Sequence, residues 1–247
     1  MNQRRVVRGL LCGLLVLSLL LIPGDRNAEA QTEERICFPE AAPVIRDCIE
    51  GRFAQFWREN GGLPVFGYPI TSAHYEVNPD TGANLLVQYF ERQRFELHPE
   101  NAWPYDVLLG RLGAVFLDKT KTGPGEKADP SEPNYVPETG YRIGFEPWEL
   151  HIEGQWYVDY YRSHGLEFDG QPGKSWPESV ALFGYPITAV RGRVTDDSSL
   201  QIFERTVLRY QPHAKDDPNW RIVPDRIGVW YYKYVLRKDS ESRLAWP

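Results

Sequence analysis

The chain has 247 residues, and its 34 acidic and 28 basic side chains leave a formal charge of −6. Such a chain repels polyphosphate, which argues against nucleic-acid binding. With 42% hydrophobic residues it is long and apolar enough for one large or two small domains with a real core.

Arg4, Arg5 and Arg8 precede an apolar run from Gly9 to Ile22, and a polar stretch closes on Ala28-Glu29-Ala30. This order is that of a secretory signal peptide over residues 1–30, cleaved after Ala30. The apolar run is shorter than the ~20 residues a membrane-crossing helix needs, so no membrane attachment is expected after cleavage. Cys12 would leave with the signal. Cleavage also removes four basic and two acidic residues, taking the charge from −6 to −8. The cysteines that remain, Cys37 and Cys48, are expected to form a disulfide in an exported protein, the alternative being two buried thiols.

Downstream the chain repeats itself. Phe66-Gly67-Tyr68-Pro69-Ile70-Thr71 returns as Phe183-Gly184-Tyr185-Pro186-Ile187-Thr188, and Phe90-Glu91-Arg92 returns as Phe203-Glu204-Arg205. Arg111-Leu112-Gly113 answers to Arg226-Ile227-Gly228, and Phe38-Pro39-Glu40 to Val136-Pro137-Glu138. Two modules are therefore expected, residues 31–117 and 136–247. Residues 118–135 are rich in Lys, Gly and Pro with little that is apolar, and read as a linker. The second copy carries an insertion, Glu167 to Glu178, and insertions in repeats map to surface loops where binding concentrates.

Within each copy the predicted order is a short helix, a rigid Gly-Tyr-Pro turn and antiparallel hairpin strands, an α+β tandem repeat. Phe53, Phe56 and Trp57, and in the second copy Tyr157, Tyr160 and Tyr161, have the i, i+3, i+4 spacing of one helix face. Gly61 and Gly165 should stop these helices in the left-handed conformation. The motif glycine and proline then stiffen the chain into a strand. Leu85, Val87, Tyr89, Phe95 and Leu97 share one parity, as do Leu200, Ile202, Leu208 and Tyr210, which predicts a half-buried ribbon; Asn78-Pro79-Asp80-Thr81-Gly82 should close an earlier hairpin.

The run Gly61 to Thr71 and its second occurrence, Ala181 to Thr188, resemble the core of LGFP repeats. The resemblance covers most of residues 49–113 and 152–228. It implies a wall-facing module of the kind exported by actinobacteria and green non-sulfur bacteria, where such repeats are thought to attach an enzyme to cell-wall polysaccharide. The partner it implies is a cell-wall or extracellular polysaccharide, without naming the sugar.

Two readings stay open for the Phe-Glu-Arg segments. Strand parity places Glu91 and Glu204 on a face that should be buried, where a carboxylate must be paired. They could tie the strand to amides of the Gly-Tyr-Pro turn or to Arg58 and Arg162, or Glu91, Arg92, Glu204 and Arg205 could hydrogen-bond a sugar. Aromatic residues make up 13% of the chain. Trp57, Tyr68, Tyr89, Tyr161 and Tyr185 sit at repeat-equivalent or motif positions, and an exposed ring suits stacking on a sugar, although core packing competes. Nucleophile elbows, phosphate loops and zinc spacings are missing, so no catalysis and no cofactor are expected, though a glycosidase needs only two opposed carboxylates. Asp80, Asn84, Asp196 and Asp197 lack the regular spacing of a calcium loop.

Overall fold

In a computed structural model of the chain, residues 34–78, 81–144, 153–192, 199–211 and 221–236 are described. The expected signal peptide and the acidic residues Asp80, Asp196 and Asp197 lie outside these segments. The fold is mixed α+β, as the residue patterns predict. The described residues all belong to the compact unit Glu33–Pro247.

Strand β1 (Arg35–Ile36) pairs antiparallel with β2 (Ile49–Glu50), and the expected Cys37–Cys48 disulfide closes the loop between them. Helix α1 (Gly51–Glu59) turns Phe53 and Phe56 into the core, as their spacing predicts, together with Ala54, while the third residue of that spacing, Trp57, is half-buried. Asn60 ends it, its main-chain N–H and its Nδ2 both donating to Phe56 O. Gly61 follows at φ 97°, a value that penalises any side chain. The sequence reading missed what comes next: a second short helix, α2 (Gly62–Phe66), for which the motif residue Gly67 is the C-terminal cap.

Four antiparallel strands then run as a meander: β3 (His74–Val77), β4 (Asn84–Tyr89), β5 (Arg94–Leu97) and β6 (Val107–Leu109). The β3–β4 hairpin stands where Asn78 to Gly82 place a turn. Helix α3 (Leu112–Thr120) closes the first copy and overruns the expected start of the linker. The segment after it is anchored, with Ala189 N–H donating to Pro124 O and Lys127 Nζ donating to Thr139 O.

The second copy follows the same order. The ribbon β7 (Tyr135–Val136) and β8 (Tyr141–Arg142) leads to α4 (Glu153–Ser163) and α5 (Trp176–Phe183). Strands β9 (Leu200–Ile202), β10 (Val207–Tyr210) and β11 (Ile222–Pro224) form one sheet, and α6 (Ile227–Tyr234) is the last described helix. Gly165 does not adopt the left-handed conformation expected of it. It is needed for space instead, because a Cβ there would sit 2.7 Å from the carbonyl carbon of Glu178.

The predicted single parity fails at the hairpin turns. Val87 faces Glu96, Gln88 faces Phe95 and Tyr89 faces Arg94, so Phe95 lies on the face opposite Tyr89. Likewise Ile202 faces Val207 while Gln201 faces Leu208. The turns Phe90–Gln93 and Phe203–Thr206 shift the register by one residue, and both faces of each ribbon are buried. One face packs with Phe53, Phe56, Phe66 and, in the second copy, Tyr157, Tyr161 and Phe183. The other forms a separate core between copies, in which Leu85, Val87, Tyr89 and Leu112 meet Ile202, Val207, Ile227, Trp230 and Tyr231.

The seam between copies is reciprocal. Gly228 and Val229 N–H donate to Glu91 O at 3.0 and 3.2 Å, and Ala114 N–H donates to Glu204 O at 3.0 Å. A Cβ on Gly113 or Gly228 would come closer than 3.0 Å to the carbonyl oxygen of Phe203 or Phe90. Each copy's last helix thus begins against the Phe-Glu-Arg turn of the other, and Phe116 and Trp230 meet at 4.8 Å as α3 packs on α6.

Candidate functional site

The Phe-Glu-Arg turns explain most of the nominated polar residues. Glu91 Oε2 accepts from Tyr68 N–H at 3.3 Å and Glu204 Oε2 from Tyr185 N–H at 3.1 Å, the amide anchoring considered above. The arginine partners differ from the expected Arg58 and Arg162. Glu91 Oε1 receives Arg226 Nη2 at 2.6 Å, and Glu204 Oε1 receives Arg111 Nη2 at 3.3 Å, so each acid latches the opposite copy. Arg58 instead binds Glu34, and Arg162 binds Asn134. Arg58 and Arg162 are thus engaged elsewhere, and the seam delivers Arg111 and Arg226 to the turns.

The rings divide similarly. Trp57 Nε1 donates to Gly67 O at 3.2 Å and Tyr161 Oη to Gly184 O at 2.9 Å, equivalent bonds that hold the motif glycine. Tyr161 is fully buried and so is Tyr89. Tyr89 stacks on Tyr231 with centroids 5.6 Å apart and donates to Glu76 at 2.8 Å. Beside it a buried ion pair joins Arg94 and Glu96. Burial raises the pKa of both phenols, so they stay neutral. Tyr68 is half-buried under Phe38, which packs edge-on against it at 5.1 Å and against Trp57 at 5.5 Å. Phe38 is itself 9% exposed and adjoins the disulfide, so the ring pair of the first copy is covered. Arg92 is half-buried with its Nε enclosed and without a partner among the described residues.

The second copy is open at the corresponding place. Val136, smaller than its counterpart Phe38, leaves the cover of Tyr161 and Tyr185 to Trp176, at 5.4 and 6.5 Å. Trp176 is 41% exposed and forms one wall of a mostly apolar cleft of about 300 Å³. Tyr105, Leu109, Phe168, Tyr185 and Arg205 share its lining with aliphatic side chains such as Val107 and Val180. The cleft lies on the seam: Tyr105, 52% exposed, belongs to the first copy and packs on Phe168 of the second at 4.9 Å.

Local chemistry explains why this wall is rigid. Glu178, three residues into α5 from Ser175, accepts Ser175 N–H at 2.8 Å, the capping arrangement that starts a helix and here presents Trp176 and Pro177 in its first turn. The same carboxylate accepts Phe168 N–H at 2.8 Å, tying the insertion to the helix. Asn60 Oδ1 receives Glu167 N–H at 2.6 Å and ties it to the first copy. Glu178 is buried, yet the bonds from Ser175 and Phe168, with the charge of Lys174, outweigh desolvation and lower its pKa. Carboxylate oxygens of Glu167, Asp169 and Glu178 lie within 4.8 Å of one another. Glu178 is engaged in the cap, and Lys174 Nζ sits 2.5 Å from Glu167, so the group already has a cation and main-chain donors of its own.

At the cleft, Arg205 donates from Nε to Leu109 O and from Nη1 to Val180 O, both at 3.2 Å. Burial lowers its pKa and the Glu204 carboxylate 3.9 Å away raises it. Burial and then Glu138 raise the pKa of the Tyr185 phenol. Of the nine residues nominated for binding, Tyr185 and Arg205 thus line one open cleft, and the remaining seven lie in the frame. Tyr105, Phe168 and Trp176 are not sequence-predicted site residues, because they stand outside the positions that the two copies share. The insertion was the available signal, and two of the three rings lie in it.

Among the described residues no helix is long and apolar enough to cross a membrane. Comparison with family models, curated proteins and solved structures returned no match.

Proposed function

We propose that this chain is an exported, non-catalytic binding module that attaches to cell-wall or extracellular polysaccharide through the cleft on the seam. The observation that carries this reading is a partly exposed wall of rings, Trp176, Tyr105 and Tyr185, on a frame whose other nominated rings and acids are internally engaged. A pyranose presents apolar C–H faces edged by hydroxyls, and such rings offer a flat apolar partner with a polar tip. A cleft of about 300 Å³ stands at the small end of ligand sites and takes a single ring-sized unit of a polymer. Export is supported by the leader-like pattern of residues 1–30 and by the disulfide. The polysaccharide class is supported by the resemblance to LGFP repeats. Against a glycosidase stands the lining of the cleft, which among the described residues includes neither aspartate nor glutamate where two would be required.

One open site is proposed and not one per copy, because Phe38 packs over Trp57 and Tyr68 in the first copy. The test is retention of the mature protein on isolated cell wall and on insoluble polysaccharides. Trp176→Ala should abolish retention while leaving the melting temperature within a few degrees. Unchanged retention by that variant, or recovery of the native protein wholly in the unbound fraction, would refute the proposal.

A further inference from the structure

We infer that the sugar unit entering the cleft is acidic, its carboxylate held by the Arg205 guanidinium. The inference rests on the polysaccharide reading above and specifies its ligand. Arg205 is the charged residue in an otherwise apolar and aromatic lining. Its Nε and Nη1 are fixed by the carbonyls of Leu109 and Val180, which pre-orient the guanidinium plane. Nη2 has no hydrogen-bond partner among the described residues and is not sealed from solvent. The nearby carboxylate does not occupy it: Glu204 already accepts from Tyr185 N–H and from Arg111, and its closest approach to Arg205 is to Nη1, at 3.9 Å.

Two donors of a fixed cation beside apolar walls favour an anionic acceptor. A charge-assisted hydrogen bond is roughly twice as strong as a neutral one, and low local polarity strengthens it. Arginine does not lose its proton in proteins, so the preference persists across the working pH range. A uronic acid combines the required parts, a ring with an apolar face and a carboxylate on its edge. The chain as a whole is acidic and works against an anionic polymer, but beyond about 8 Å that repulsion is screened at physiological salt. The charge in contact therefore decides.

The experiment is calorimetric titration of the mature protein with trimers of galacturonic, glucuronic and mannuronic acid, each alongside its carboxyl-reduced neutral counterpart. At least one uronate should bind tenfold or more tightly than its reduced form, and Trp176→Ala should remove that binding. Arg205→Gln should erase the preference. Because Arg205 also anchors two carbonyls and its replacement can unfold the protein, the ratio measured on the native chain is decisive by itself. Equal binding of acidic and reduced trimers overturns the inference and leaves the polysaccharide reading standing. If no trimer binds while wall retention through Trp176 persists, the acidic ligand alone is refuted. If retention is absent too, both are.

Discussion

Replacing Gly228 by alanine puts the seam between the copies to a test in which the expected sign is opposite to the local one. Gly228 is the second residue of α6 and does not have a positive φ, so alanine should gain up to about 1 kcal/mol of helix propensity. The added Cβ, however, would press into Phe90 O and sit 3.1 Å from Glu91 O, both main-chain atoms that no side-chain rotation can move. Relieving the clash means shifting α6 away from the turn. Overpacking of this kind costs about 1–3 kcal/mol, and weakening the bonds from Gly228 and Val229 to Glu91 O costs about 1 kcal/mol each. The net expectation is a loss of about 2–4 kcal/mol, or about 10 °C in melting temperature for a domain of this size. Gly113→Ala should behave alike, since it meets Phe203 O and, at 2.8 Å, Thr206 O. Gly123→Ala, with open space around it and no positive φ, is the control. Urea unfolding followed by circular dichroism measures all three. A Gly228→Ala protein within 1 kcal/mol of the native chain would mean that the seam is not packed as described.

Glu91 and Arg226 should couple across the seam. In a double-mutant cycle with Glu91→Gln and Arg226→Gln the interaction energy is expected near 2 kcal/mol, given partial burial of both; additive losses, or retained stability with lost sugar retention, would return Glu91 to a binding role. Acid sensitivity should trace in part to Asp106, whose carboxyl accepts Arg52 Nε at 2.7 Å and Nη2 at 2.9 Å. These bonds hold its pKa below the ordinary value. The depressed native pKa means that the stabilisation is complete above the unfolded value near 3.9 and is lost as pH falls from there through the native one. Urea midpoints at pH 6 and pH 3 should therefore differ less for Asp106→Asn than for the native chain, and an equal difference would remove Asp106 from the account.

The cleft was partly legible in the sequence. Tyr185 and Arg205 were reached through the repeat, and the insertion Glu167 to Glu178 was marked as a functional loop. Trp176 and Phe168 within it were passed over because neither has an equivalent in the first copy, and Tyr105 because its loop carries no motif. What the two copies share is what the fold requires. The open site is where they differ, at Val136 against Phe38 and at the inserted turn that carries Trp176.

Local chemistry was enough for the mixed α+β class, the first helix and its stop at Gly61, the β3–β4 hairpin and the disulfide, because each depends on side-chain spacing, turn residues or cysteine content over a few neighbours. The position of the motif glycine at the end of a second helix, the face on which each strand residue lies and the partners of Glu91 and Glu204 were decided by the tertiary structure. A one-residue shift at a tight turn reverses every later side chain, and no periodicity within a strand records it. Arg226 stands 135 residues from the glutamate it binds. Such a pairing becomes visible only when two copies pack reciprocally and each supplies an arginine to the other's glutamate.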